Sequence, residues 1–204
     1  MKRIYAGVFA AVGWFAVIGQ YLNKYADTLT DSIKYISFFT ILSNILVAAT
    51  LATAALAPES RLGRFLDKPG VATATVLYIT VTGFVYHFLL ASLYHLEGWT
   101  LIYDRLLHYV IPPAYVLFWL LFVPKGTLDL KNAALMLAFP VVYANYTLVR
   151  GPFADWYPYP FIDVSKLGYP QAFHNIVDFV ILFAFVACVF VLIDRVAGMI
   201  RRAA

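Results

Sequence analysis

Residues 172–196 read AFHNIVDFVILFAFVACVFVLIDRV, and from Phe179 to Ile193 no side chain is charged. A helix of that length rises roughly 37 Å at about 1.5 Å per residue, enough to cross a hydrocarbon core about 30 Å thick. The stretch reads as a transmembrane helix. It also holds an acid, Asp178, about two turns in, and a histidine, His174, four residues before it on the same face.

The rest of the chain agrees with a membrane setting. Of its 204 residues, 63% are apolar and 13% charged, and its mean hydropathy is +0.79. An average soluble domain is about 45–50% apolar and about 25% charged. A domain of this size has too much surface to bury apolar side chains in that proportion. An ordinary soluble globule, a disordered chain and a disulfide scaffold are excluded. The net charge of +4 is no nucleic-acid footprint, because the basic residues lie between apolar runs rather than in a stripe. The single cysteine, Cys188, lies inside an apolar run and can form no intramolecular disulfide.

Five further apolar stretches, near 4–22, 34–57, 71–95, 106–123 and 132–149, are long enough to span. The expectation is an all-α polytopic membrane protein, a single domain over 1–204 built as a bundle of six transmembrane helices. The first stretch follows Lys2 and Arg3, but it is longer than a signal-peptide core and reads as an anchor. Of the 15 Lys and Arg, five (Lys24, Lys34, Arg105, Arg150, Lys166) fall on one side and the other ten on the side of the termini. That bias places both termini in the cytoplasm and the first, third and fifth loops outside. The fifth loop, 150–171, reads RGPFADWYPYPFIDVSKLGYPQ. Its four prolines and its aromatic cluster predict an irregular segment, either a cap on the bundle or an interfacial aromatic belt.

Ionisable groups inside membrane spans are costly and mark functional sites. Ten of the 11 acids fall in loops or near helix ends, which leaves Asp178. His87 and His95 lie on the third helix, and His108 lies just inside the fourth. His95, beside Glu97, reads as an interfacial hydrogen-bonding residue. With this topology Thr40, His108, His174 and Asp178 fall within about two turns, roughly 10 Å, of the outer surface. His87 falls somewhat deeper.

Helix two presents Thr40, Ser43 and Asn44 on one face. Hydroxyls in membrane helices often bond back to the i−4 carbonyl, and Asn often joins helices. A hydroxyl becomes a nucleophile only beside a base. His108 is the candidate base, with Asp104 one turn before it to orient the ring. Pro112 has no N–H to give the His108 carbonyl, so the helix should break there. That pattern equally fits packing around a kink. The catalytic expectation is Thr40 as nucleophile and His108 as base, with Asn44 as an oxyanion donor. Ser43, Asp104, His87, His174 and Asp178 are the supporting residues. For Asp178 the expected partners are His174, His108 and Arg150. This chemistry needs no cofactor and no metal.

The motifs FFTILSNILV around Thr40, LLHYVIPPAYVLFWLLFVPKG around His108 and RGPFADWYPYPFIDV in the fifth loop resemble the androgen-induced membrane-protein family. The resemblance covers nearly the whole chain and is to its compact prokaryotic members, which places the chain in the inner cell membrane. It implies an intramembrane threonine hydrolase of lipid esters, such as fatty-acid esters of hydroxy fatty acids. It puts the family's Thr on Thr40 and its His on His108. The residues after Thr40, Ile-Leu-Ser-Asn, depart from the family pattern, as does the second proline at Pro112.

Rival readings use the same residues. His87, His108, His174 and Asp178 are ligand types that zinc takes, which allows a metal-dependent hydrolase. His87 and His174 could serve as axial haem ligands in an electron carrier. A transporter has against it only six spans and no internal repeat.

Overall fold

The computed structural model describes residues 1–203, and among them every regular element is helical. Six helical segments are long and apolar enough to cross a membrane: Lys2–Lys24, Phe39–Leu56, Pro69–Leu93, Gly98–Phe122, Leu130–Ala154 and Val164–Arg201. The fold is therefore the expected six-helix membrane class. The chain divides into two compact units, Met1–Thr127 and Leu128–Ala204.

The first unit contains α1 (Lys2–Lys24), α2 (Leu29–Ile36), α3 (Phe39–Leu56), α4 (Arg61–Leu66), α5 (Pro69–Val85), α6 (Gly98–Arg105) and α7 (Ile111–Phe122). Small residues let α1 and α3 pack closely: a Cβ on Gly13 of α1 would lie 3.2 Å from the Ala48 Cβ of α3. Polar side chains tie α1 to α7 and α2, and α7 to α5. Tyr5 donates to the Ala114 carbonyl at 2.8 Å, Tyr35 to the Val17 carbonyl at 2.6 Å, and Trp119 to Thr73 Oγ1 at 2.8 Å. Between membrane helices such bonds average about 0.6 kcal/mol each. Burial of Tyr115, Phe118 and Trp119 fills the space between them. Lys125 closes the end of α7 by donating to the Val123 carbonyl and to the Trp119 carbonyl, which also accepts from the Val123 N–H at 3.3 Å.

Two five-residue π turns interrupt this unit. Tyr86–Leu90 continues α5, and Leu106–Val110 joins α6 to α7. The break expected before the prolines thus takes the form of a π turn, with Pro112 and Pro113 in the first turn of α7. Gly83 of α5 packs where that turn leaves a carbonyl free. A Cβ there would meet the His108 oxygen at 3.3 Å and Pro112 Cβ at 3.4 Å.

Two boundaries differ from the sequence expectation. The region 34–57 divides, because α2 is a separate short helix and α3 begins at Phe39. The fourth span begins at Gly98 rather than near 106. Asp104 and Arg105 dilute the apolar pattern there but do not stop the helix.

The second unit contains α8 (Leu130–Met136), α9 (Ala138–Ala154) and α10 (Val164–Ala203). Asp129 caps α8 with a reciprocal box to Asn132, and α10 grips the residue before that cap. Asp194 accepts from the Leu128 N–H at 3.0 Å, while Arg195 donates to the Leu128 carbonyl at 3.1 Å. The irregular stretch expected over 150–171 is shorter than that. Helix α9 continues through Pro152 to Ala154, and α10 begins at Val164 with a kink at Gly168, whose φ is +73°. Between them the chain turns at Asp155, and Pro160–Ile162 forms one 3-10 turn.

Candidate active site

His108 sits in the π turn, ten residues beyond the start of α6, or roughly 15 Å along the helix. It is deeper than the expected 10 Å because the helix starts earlier. Its ring is buried, at 7% exposure, as is Asp104 at 5%. His108 Nδ1 lies 3.0 Å from the Asp104 carbonyl oxygen and 3.2 Å from Asp104 Oδ1. Both of those atoms are acceptors, so in the neutral ring Nδ1 carries the proton and Nε2 the lone pair.

Tyr86, from the other π turn, completes the group. Its hydroxyl donates to Asp104 Oδ2 at 2.5 Å, and its ring lies parallel on the imidazole with centroids 3.6 Å apart at 12°. Asp104 therefore accepts from Tyr86 through one oxygen and approaches His108 through the other. A buried carboxylate is tolerable when its lone pairs are so used.

The hydroxyl face of α3 lies beside this group. Asn44 Nδ2 donates to the Thr40 carbonyl at 2.9 Å and reaches the Leu107 carbonyl at 3.4 Å, one residue before His108. Those bonds use both amide protons, so Asn44 joins α3 to the His108 turn instead of offering an oxyanion donor. Its Oδ1 is buried without a hydrogen-bond partner among the described residues. Ser43 is fully buried and spends its hydroxyl on the Phe39 and Thr40 carbonyls and on Thr82 Oγ1 at 3.0 Å. Thr40, in the first turn of α3, is half-buried.

The remaining histidines lie elsewhere. His87 is exposed, with Nδ1 3.2 Å from the Tyr109 hydroxyl. His95 is exposed as well. His174 and Asp178 belong to the second unit and face outward, with side chains 72% and 62% exposed and 3.6 Å apart. Of the three partners expected for Asp178, His174 is the one it meets. Among the described residues no three His, Cys, Asp or Glu side chains gather as a metal site would need.

Two residues escaped the sequence reading. Asp194 passes for a helix-end charge but is buried at 1% exposure. Tyr86 was hidden beside the more conspicuous His87, although the polar positions Thr75 and Thr82 of α5 are seven apart and point, one turn on, to Tyr86.

Beside Tyr86 opens a cavity of about 350 Å³, lined also by Tyr94, His95, Glu97, Arg105 and Tyr109. The class so defined is an integral, all-helical membrane protein with a buried Tyr–Asp–His group in its first unit. No family model, curated protein or solved structure was found to match the chain.

Proposed function

We propose that the chain is an intramembrane hydrolase of lipid esters, with Thr40 as nucleophile, His108 as base and Asp104 as the residue that orients it. The observation that carries this reading is the buried Asp104–His108 pair, which holds Nδ1 protonated and leaves Nε2 to accept a proton. Asn44 supports the choice of Thr40, because it ties the Thr40 turn to the His108 turn. Ser43 is the poorer nucleophile, since its hydroxyl is already engaged. The motif resemblance points the same way and extends the substrate class to fatty-acid esters of hydroxy fatty acids.

In this mechanism His108 Nε2 takes the Thr40 hydroxyl proton as Oγ1 attacks the ester carbonyl carbon. The tetrahedral intermediate collapses, the ester C–O bond breaks, and Nε2–H returns its proton to the leaving alkoxide. Water then attacks the acyl-threonine, Nε2 takes its proton, and Thr40 leaves reprotonated. Tyr86 holds Asp104 in place, so the dyad is oriented before substrate arrives.

The test is turnover of a long-chain chromogenic ester by purified protein in lipid vesicles. Thr40→Ala and His108→Ala should each lower turnover at least about hundredfold, in the range that removing a general base costs, with unchanged elution from a sizing column. Full turnover by Thr40→Ala contradicts the nucleophile assignment.

A further inference from the structure

The cavity beside Tyr86 lies where two spans end. The loop Tyr94–Glu97 joins the segment Pro69–Leu93 to Gly98–Phe122, which puts the cavity at the depth of lipid headgroups. Its lining holds charge of both signs, from Arg105 and Glu97, with His95 two residues before Glu97 and three tyrosines around them. Among the described residues, the side chains of His95 and Glu97 make no hydrogen bond or ion pair. The Arg105 guanidinium lies over the face of Tyr109, 5.5 Å away, and near Tyr86, and makes no hydrogen bond or ion pair among the described residues. Arg105 and Glu97 are thus opposite charges on one cavity wall that do not neutralise each other. A ligand that uses both must itself carry both.

We infer that this cavity is a binding site for the headgroup of a zwitterionic phospholipid. Arg105 and His95 would take the phosphate, for which a guanidinium fork is suited. Glu97 and the tyrosine faces would take the ammonium end, the carboxylate by charge and the rings by cation–π attraction. A volume of about 350 Å³ admits such a headgroup while its acyl chains remain beside the helices. The inference goes beyond hydrolysis and does not depend on it, so binding measurements test it whether or not an ester is cleaved.

The experiment is native mass spectrometry of the full chain released from maltoside micelles, titrated with diheptanoyl phosphatidylcholine and with diheptanoyl phosphatidylglycerol. A competition arm uses glycerophosphocholine, which has the headgroup without the chains. The expected result is retention of the choline lipid about tenfold tighter than the glycerol lipid, with little displacement by glycerophosphocholine. Glu97→Gln should erase the preference, and Arg105→Gln should weaken both lipids about tenfold. Both side chains are exposed, so the variants fold, which circular dichroism checks. Equal retention of the two lipids, retention of neither, or a preference untouched by both substitutions overturns the site. Binding of glycerophosphocholine as tight as that of the lipid overturns its assignment to a lipid.

Discussion

Asp104 and His108 on one helix, and His174 and Asp178 on another, are the same two side chains at the same four-residue spacing in opposite order. In the first unit the pair is about 7% exposed on each side, 3.2 Å apart, with Tyr86 bonded to one member and stacked on the other. In the second unit it is 72% and 62% exposed and 3.6 Å apart. Spacing alone makes a pair, and the neighbouring helices decide what it does. The Tyr86 turn covers Asp104 and His108, and the two Asp104 oxygens hold the proton of the neutral ring on Nδ1. The outward-facing pair has no such constraint, and an exposed ion pair is worth about 0–1 kcal/mol.

The largest expected contrast is in catalysis. Asp104→Asn offers an amide N–H where the imidazole Nδ1–H needs an acceptor, so turnover of the chromogenic ester should fall about 10²–10⁴-fold. Asp178→Asn should leave it within twofold. Equal losses in the two variants would dissolve the distinction between the pairs.

The contrast in stability is smaller but independent of any substrate. Asp104→Ala leaves the buried Tyr86 hydroxyl without its acceptor, which costs about 1–3 kcal/mol, so it should lower the midpoint of thermal unfolding in micelles. Asp178→Ala should shift it within the scatter of surface substitutions, about 0.5 kcal/mol.

Tyr86→Phe sharpens the comparison by removing the hydroxyl while keeping the ring on His108. A hydrogen bond to a charged group is worth about 1.5–3 kcal/mol. Turnover should therefore fall by about ten- to a hundredfold, in kcat more than in KM. A change confined to KM would move Tyr86 from orienting the dyad to binding substrate.

The smallest effect concerns a third acid, Asp163, at the turn before α10. Burial raises its pKa, but the Ser165 hydroxyl and N–H and the Lys166 ammonium outweigh that and hold it below the ordinary carboxylate value of 3.8. A depressed folded pKa stabilises above the unfolded value and loses that stabilisation as pH falls through the folded one. Protection of the Asp163–Leu167 turn from hydrogen exchange should thus decline only below about pH 3.8. Ser165→Ala should move the decline to higher pH.

The six spans were legible because nearly every charge stands near a helix end, so the apolar runs between them are unmistakable. The fourth span was misjudged at its start, and that error mattered. Reading the helix from 106 made Asp104 a terminal charge and left Asp178 as the lone intramembrane acid. With the helix starting at Gly98, Asp104 lies two turns in and is buried, while Asp178 faces outward. Hydropathy could not show this, because Asp104 and Arg105 look like a loop until tertiary packing covers the acid. Tyr86 was illegible for another reason, since its partner lies on a different helix and no spacing along the chain connects them.

The central claim is that the buried pair activates the Thr40 hydroxyl. Labelling with a fluorophosphonate probe, followed by peptide mapping, tests it most directly. The predicted result is one adduct, on Thr40, lost in Thr40→Ala and in His108→Ala and retained in Ser43→Ala. An adduct on Ser43, or labelling that persists in Thr40→Ala, contradicts it.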